Sequence, residues 1–107
     1  GKIDNFAFEN NEIRAELANA GDVVLIAQGA FYIMDDKGVV ADRGRIQTFY
    51  LPEKEKVPFS VKLPAQLKPG RSTLVMSFDL GEGKSLVKEV ELSKDKSGSV
   101  KILKVKD

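Results

Sequence analysis

The chain has 107 residues, of which 42% are hydrophobic and 31% are charged, the composition of an ordinary globular domain. Seventeen basic residues against sixteen acidic ones leave a net charge of +1, so the chain lacks the basic excess that nucleic-acid binding requires. It contains no histidine and no cysteine. These absences exclude a Ser-His-Asp triad, thiolate catalysis, disulfides and metal sites built on those ligands.

Membrane and export signals are not apparent in the sequence. No apolar run approaches the ~20 residues needed to cross a bilayer, so we predict no membrane insertion. The chain opens with Gly1-Lys2 and carries no recognisable signal peptide. We therefore expect it to be a segment of a longer protein.

The N-terminal region predicts two strands. The first covers residues 2–8, with apolar positions Ile3, Phe6 and Phe8, and ends at an Asn10-Asn11 turn. Residues 12–20 are ambiguous, because Ile13, Ala15 and Leu17 alternate as in a strand while Asn11 and Gly21 suit the two ends of a helix. Helix propensity favours the second reading. We expect a strand, since so short a helix is marginal without packing.

The middle of the chain is punctuated by turn residues. A turn is predicted at residues 19–22, and the apolar stretch that follows, residues 23–34, is too long for one regular strand. Gln28-Gly29 predicts a break or bulge within it. A hairpin turn is expected at residues 35–38. Residues 42–45 predict a further break, before a short strand that Pro52 closes.

The C-terminal half predicts a second set of strands. Residues 57–63 alternate, and Pro58 suits an edge strand. A turn at Pro69-Gly70 starts a strand that directs its even positions to the core, namely Leu74, Met76, Phe78 and Leu80. Gly81 and Gly83 then turn the chain back along residues 85–92. Short strands separated by turn signals, with no helical layer, indicate an all-β sandwich or barrel.

The tail differs from the rest of the chain. Residues 93–99 are polar and typical of a linker. In residues 100–105, Lys101 and Lys104 alternate with apolar side chains, as in an edge strand protected by lysine. Two alternatives stay open: an extra strand of the sheet, or a connection to a following domain.

These turn motifs resemble those of immunoglobulin-like and fibronectin type III-like domains. Leu67-Lys68-Pro69-Gly70 resembles the turn before their penultimate strand, and residues 79–83 resemble their final hairpin. Residues 16–22 are similar to their strand ending in Asn-x-Gly-Asp, and residues 31–38 and 51–63 are similar to segments that follow. The order looks most like the C-terminal domain of bacterial periplasmic proteins related to fimbrial (pilus) chaperones.

The resemblance implies an immunoglobulin-like antiparallel β-sandwich of about seven strands. We expect a single domain over residues 2–107, with its core in residues 12–92 and with residues 93–107 as a linker to which the extra edge strand is added in one of the two alternatives. It also implies a periplasmic or extracellular location. The chain departs from the family after the Pro-Gly turn, where Arg71-Ser72-Thr73 stands in place of the usual tyrosine, so the tyrosine corner is absent.

None of the motifs that suggest chemistry is complete. Gly83-Lys84-Ser85 ends like a phosphate-binding loop, but the position that this loop needs as glycine is Phe78, so a hairpin turn is expected. Asp35, Asp36 and Asp42 carry oxygen ligands of the type that Ca²⁺ binds, in a spacing that fits no EF-hand. We predict no catalytic residues, no metal site and no cofactor.

The remaining candidates for a binding surface are aromatic: Tyr32, Phe49 and Tyr50. Our leading interpretation is a non-catalytic module of a larger exported bacterial protein, serving as a spacer or a protein–protein interaction domain, with pilus-related assembly as one setting. Its partner would be another protein or a neighbouring domain of the same chain. The alternative is a carbohydrate-binding accessory module of a secreted enzyme, although the aromatic platforms of such modules often contain tryptophan and this chain has none.

Overall fold

The computed structural model describes residues 2–64, 67–81 and 83–106, and these ranges contain eight β-strands and no helix. The bounds of the strands are β1 (Lys2–Glu9), β2 (Glu12–Ala18), β3 (Leu25–Asp35), β4 (Val40–Leu51), β5 (Lys56–Lys62), β6 (Gly70–Gly81), β7 (Lys84–Lys94) and β8 (Val100–Lys106).

The strands form two antiparallel sheets that pack face to face. One sheet has the order β1-β2-β5, and the other has the order β4-β3-β6-β7-β8. Strand β4 lies beside β5, and β1 lies beside β8, so the two sheets approach each other along both sides. The all-β antiparallel sandwich predicted from the sequence is confirmed.

The last strand extends the five-stranded sheet. Strand β8 pairs with β7. Val100 lies opposite Lys94 at one end of the pair, and Lys106 lies opposite Glu89 at the other. Of the two alternatives for the tail, the extra strand is confirmed. The residues expected to form a linker instead complete β7 and make a tight turn, in which the Asp95 N–H donates to the Ser99 carbonyl at 3.0 Å.

The ambiguous segment is strand β2, as expected. It is the central strand of the three-stranded sheet, pairing with β1 on one side and β5 on the other. Its alternating side chains Ile13, Ala15 and Leu17 are all buried. Pairing on both edges and burial of one face outweigh the helix propensity of this stretch, as tertiary context commonly does.

Strands β3 and β4 are longer than predicted. The break expected at residues 42–45 is wrong, because β4 continues through them and pairs with residues 30–33 of β3. Strand β4 is a sheet edge, where charged side chains can stay in water. The break or bulge predicted within β3 at Gln28-Gly29 is wrong, because β3 is continuous there and the bulge lies in the neighbouring strand β4. Ala27 faces Phe49 whereas Gly29 faces Ile46, so the extra residue belongs to β4.

The core lies between the sheets and contains the side chains predicted for it. Leu74, Met76, Phe78 and Leu80 of β6 are buried. Phe78 packs edge-on against Phe59 of the opposite sheet, with ring centroids 5.0 Å apart, and against Phe49 at 6.3 Å. The three rings join strands β4, β5 and β6, and therefore both sheets.

The Phe78 ring lies against the backbone of Gly29, where only glycine leaves room for it. A Cβ added at Gly29 would lie 2.7 Å from Phe78 Cε1 and 2.9 Å from Ile46 Cβ. Both neighbours are buried, so neither can move aside without disturbing the core.

Gly29→Ala is therefore expected to destabilise the protein by about 1–3 kcal/mol, the usual cost of overpacking a core. Urea denaturation followed by circular dichroism measures the change. Gly44→Ala is the matched control, because a Cβ there meets only the ring edge of the half-exposed Phe31, at 3.0 Å. Equal stabilities of the two variants would contradict the packing argument.

Candidate interaction surface

The three aromatic residues singled out from the sequence do not form one surface. Tyr32 of β3 and Tyr50 of β4 both lie on the outer face of the five-stranded sheet, 38% and 71% exposed. Tyr50 pairs with Ile26, six residues before Tyr32 on β3, which separates the two tyrosines by about 20 Å along the strand. Phe49 points the other way and stacks on Phe59 with centroids 6.4 Å apart.

Apolar side chains are exposed together at one end of the five-stranded sheet. Val23 is 70% exposed, Val24 52%, Ile26 50% and Tyr50 71%. Ile26 and Tyr50 are directly opposite each other in the β3–β4 pair, and Val23 and Val24 lead into β3. We call these four residues the apical patch. Single exposed apolar side chains are normal, whereas a contiguous group of them marks a contact surface.

The buried side chain of Asn19 holds both halves of the apical patch in place. Its Nδ2 group donates to the carbonyl of Val23 at 2.8 Å and to the carbonyl of Leu51, next to Tyr50, at 3.1 Å. Its Oδ1 atom accepts from the N–H of Gly21 at 3.0 Å, and its own N–H donates to the carbonyl of Glu55 at 2.9 Å. Every polar atom of this side chain is used to join the end of β2 to the start of β3 and the end of β4.

The turn predicted at residues 19–22 is present, but for a different reason. Asn19 and Gly21 were expected because they tolerate positive φ angles, and neither adopts one. Asn19 is instead an Asx-turn residue, which bonds the backbone two residues further on. The sequence does carry a signal for the apical patch. Residues 23–26 are four consecutive apolar residues. Because successive side chains of a strand point to opposite faces, such a run places apolar side chains on the outer face as well as in the core.

A shallow depression of about 420 Å³ adjoins the apical patch. Val23, Val24 and Ile26 of the patch line one wall, and Asp79 and Lys84 of the β6–β7 hairpin lie on the other side. The Asp79 carboxylate accepts the N–H of Gly81 at 2.9 Å, which fixes it within its own turn. The arrangement offers an apolar surface with one charge of each sign at its border, suited to contact with a protein surface.

Two of the three aspartates considered for a calcium site, Asp35 and Asp42, accept hydrogen bonds from nearby backbone N–H groups. The Asp35 carboxylate accepts the N–H groups of Lys37 and Val39, both at 2.9 Å, and Asp42 accepts the N–H of Arg43. The hydrogen bond from Val39 is the main cause that lowers the pKa of Asp35. Within residues 2–64, 67–81 and 83–106, no three acidic side chains are grouped so that they could hold a metal ion.

Comparison of the chain with protein family models and with curated proteins finds no match to either. The class that the structure defines is an all-β antiparallel sandwich of two sheets. The described part of the chain contains no helix long and apolar enough to span a membrane.

Replacing Asn19 by aspartate is expected to cost about 2–3 kcal/mol, because two carbonyls lose their donor and face a carboxylate instead. Urea denaturation measures the loss. Gln47→Glu makes the same amide-to-carboxylate change at an exposed position of β4 and should be nearly neutral. If Asn19→Asp were as stable as Gln47→Glu, Asn19 would not have the structural role described.

Asp35 predicts a pH dependence of stability. Its pKa in the folded protein is lowered from 3.8, so its contribution is fully present above pH 3.8 and is lost as the pH falls through the lower folded value. We expect Asp35→Asn to be less stable than wild type at neutral pH, and the difference to shrink below pH 3.8. Urea denaturation across pH 2–7 measures it. A difference between Asp35→Asn and wild type that stays constant across this pH range would contradict the expectation.

Proposed function

We propose that the chain is a non-catalytic, immunoglobulin-like module of a larger exported bacterial protein, and that it makes a protein–protein contact through the apical patch. The fold part of the proposal is supported by the strand order, since both sheets combine strands from the two halves of the chain, as in immunoglobulin-like sandwiches. The resemblance of the turn motifs supports the same family. Export, and a role in pilus-related assembly, rest on that resemblance alone.

The apical patch is the observation that carries the contact function. Burying a large apolar side chain is worth about 1.5–3 kcal/mol relative to leaving it in water, so this exposed group is a ready source of binding energy. Valine, isoleucine and tyrosine have few rotatable bonds and lose little conformational entropy when a partner covers them. The hydrogen bonds of Asn19 fix the backbone on both sides, which lowers the cost of binding further.

The position of the patch also suits a neighbouring domain of the same protein. Strand β1 begins at Lys2, which pairs with Ala18, the residue next to Asn19. In a longer protein, residues preceding Lys2 would therefore enter the domain at the end that carries the apical patch. A preceding domain would be held close to the patch, at a high effective concentration.

Carbohydrate binding is less well supported. It would need aromatic rings arranged as one exposed platform, and Tyr32 and Tyr50 are separated along the sheet while Phe49 packs against Phe59. The exposed aliphatic side chains beside Tyr50 favour a protein surface as the partner.

Site-specific photo-crosslinking in the cells that naturally make the protein tests the proposal. A photoreactive amino acid replaces Ile26 or Tyr50 in one pair of variants, and Lys62 in the control. Lys62 is exposed on the outer face of the three-stranded sheet. We expect a discrete crosslinked product from positions 26 and 50 and none from position 62.

Mass spectrometry of the product distinguishes a separate protein from another domain of the same chain. Either result supports the contact function. Crosslinking at positions 26 and 50 that does not exceed that at position 62 would overturn it.

A further inference from the structure

A row of four side chains crosses the outer face of the five-stranded sheet. Arg43 of β4 pairs with Tyr32 of β3, Tyr32 pairs with Val75 of β6, and Val75 pairs with Glu89 of β7. Directly paired residues point to the same side of a sheet. The row therefore presents a positive charge at one end and a negative charge at the other. Between them lie Tyr32, 38% exposed, and Val75, of which only 6% is exposed.

Arg43 and Glu89 carry the opposite charges at the two ends of the row. Neither Arg43 nor Glu89 has a side-chain ion pair with any part of the chain that the structure describes. Lys106, which lies directly across from Glu89 on β8, forms its ion pair with Glu91 at 3.4 Å. Arg43 and Glu89 are three strand spacings apart, about 14 Å, with Tyr32 and Val75 between them.

The row is complementary to itself. A twofold axis parallel to the strands, above the space between β3 and β6, reverses the order of the four residues in a second copy. Arg43 would then face Glu89 of the second copy, and Tyr32 would face its Val75, each contact occurring twice. Sheets pack face to face at about 10 Å, a gap that the arginine and tyrosine side chains can bridge.

The rest of this face allows the approach. In the neighbouring row, Ala30 and Ser77 occupy the two central strands and are small. Arg45 of β4 and Val87 of β7 lie on the strands to either side, and both are exposed. Both rows would therefore bring apolar atoms or small side chains to the centre of the contact and leave the charges outside, as in known protein interfaces.

We propose that this face binds a second copy of the chain, forming a twofold-symmetric dimer centred on Tyr32 and Val75 and oriented by two Arg43–Glu89 ion pairs. A closed pair of this kind uses the same surface on both partners. The charges at its border give orientation more than affinity, and salt weakens their attraction. The dimer is independent of the contact proposed for the apical patch, which lies about 20 Å further along the sheet.

Sedimentation equilibrium on the purified 107-residue chain, at concentrations up to about 1 mM, tests the dimer. Arg43→Glu and Glu89→Arg each place like charges opposite one another in both ion pairs, and each should raise the dissociation constant at least about tenfold. The double variant Arg43→Glu/Glu89→Arg restores opposite charges and should return it to within about threefold of wild type. Lys62→Glu changes the net charge equally on the other sheet and should have no effect.

Circular dichroism confirms that each variant is folded, and recovery by the double variant separates loss of the interface from loss of the fold. A wild-type chain that is monomeric at all concentrations would overturn the dimer, as would a double variant that stays monomeric. A dimer that Ile26→Lys disrupts and Arg43→Glu does not would also overturn it. That last result would assign self-association to the apical patch and leave the contact function in place.

Discussion

The buried side chain of Asn19 is the interaction on which both the end of the sandwich and its proposed contact surface depend. It sits where β2 leaves the three-stranded sheet and where β3 and β4 meet in the other sheet. Without it the buried carbonyl of Leu51 would lack a donor, at a cost of about 1–3 kcal/mol, and the partly buried carbonyl of Val23 would lose its bond as well. The same bonds that join the sheets also fix the backbone beneath Val23 and Tyr50, so fold and surface share one cause.

The bulge in β4 explains why two adjacent aromatic residues have opposite roles. In a regular strand, positions 46, 48 and 50 would share one face, and Tyr50 would enter the core with Ile46. The extra residue between Ile46 and Phe49 reverses the alternation, so Phe49 turns inward to Phe59 and Tyr50 turns outward beside Ile26. The close contact of Phe78 with Gly29, beside this bulge, leaves no space for a different arrangement.

Local patterns in the sequence predict most of this fold, and the exceptions have a common origin. The alternation in β2, the buried even positions of β6 and the turn at Asp35 depend on residues close in the chain, and all three were predicted. The turn at Asp95 was not predicted, but it has the same Asp-x-x-Gly pattern as the turn at Asp35. The continuity of β4 and the outward direction of Ile26 depend on which strand lies alongside. Sequence alone gives an isoleucine in a strand as a core residue, because it does not show that Tyr50 opposes it on the outer face.

The two sheets also differ in what they offer to solvent, which places recognition on one side of the molecule. The outer face of the three-stranded sheet carries polar groups such as Arg14, and Ser60 donates to Glu12 within that face at 2.8 Å. The five-stranded sheet instead exposes Ile26 and Tyr50 at one end and the Arg43–Glu89 row further along. An apolar contact persists as salt rises, whereas charge pairs are screened over about 8–10 Å at physiological ionic strength. A single sheet can therefore support one contact that is insensitive to salt and another that salt weakens, without either competing for the same side chains.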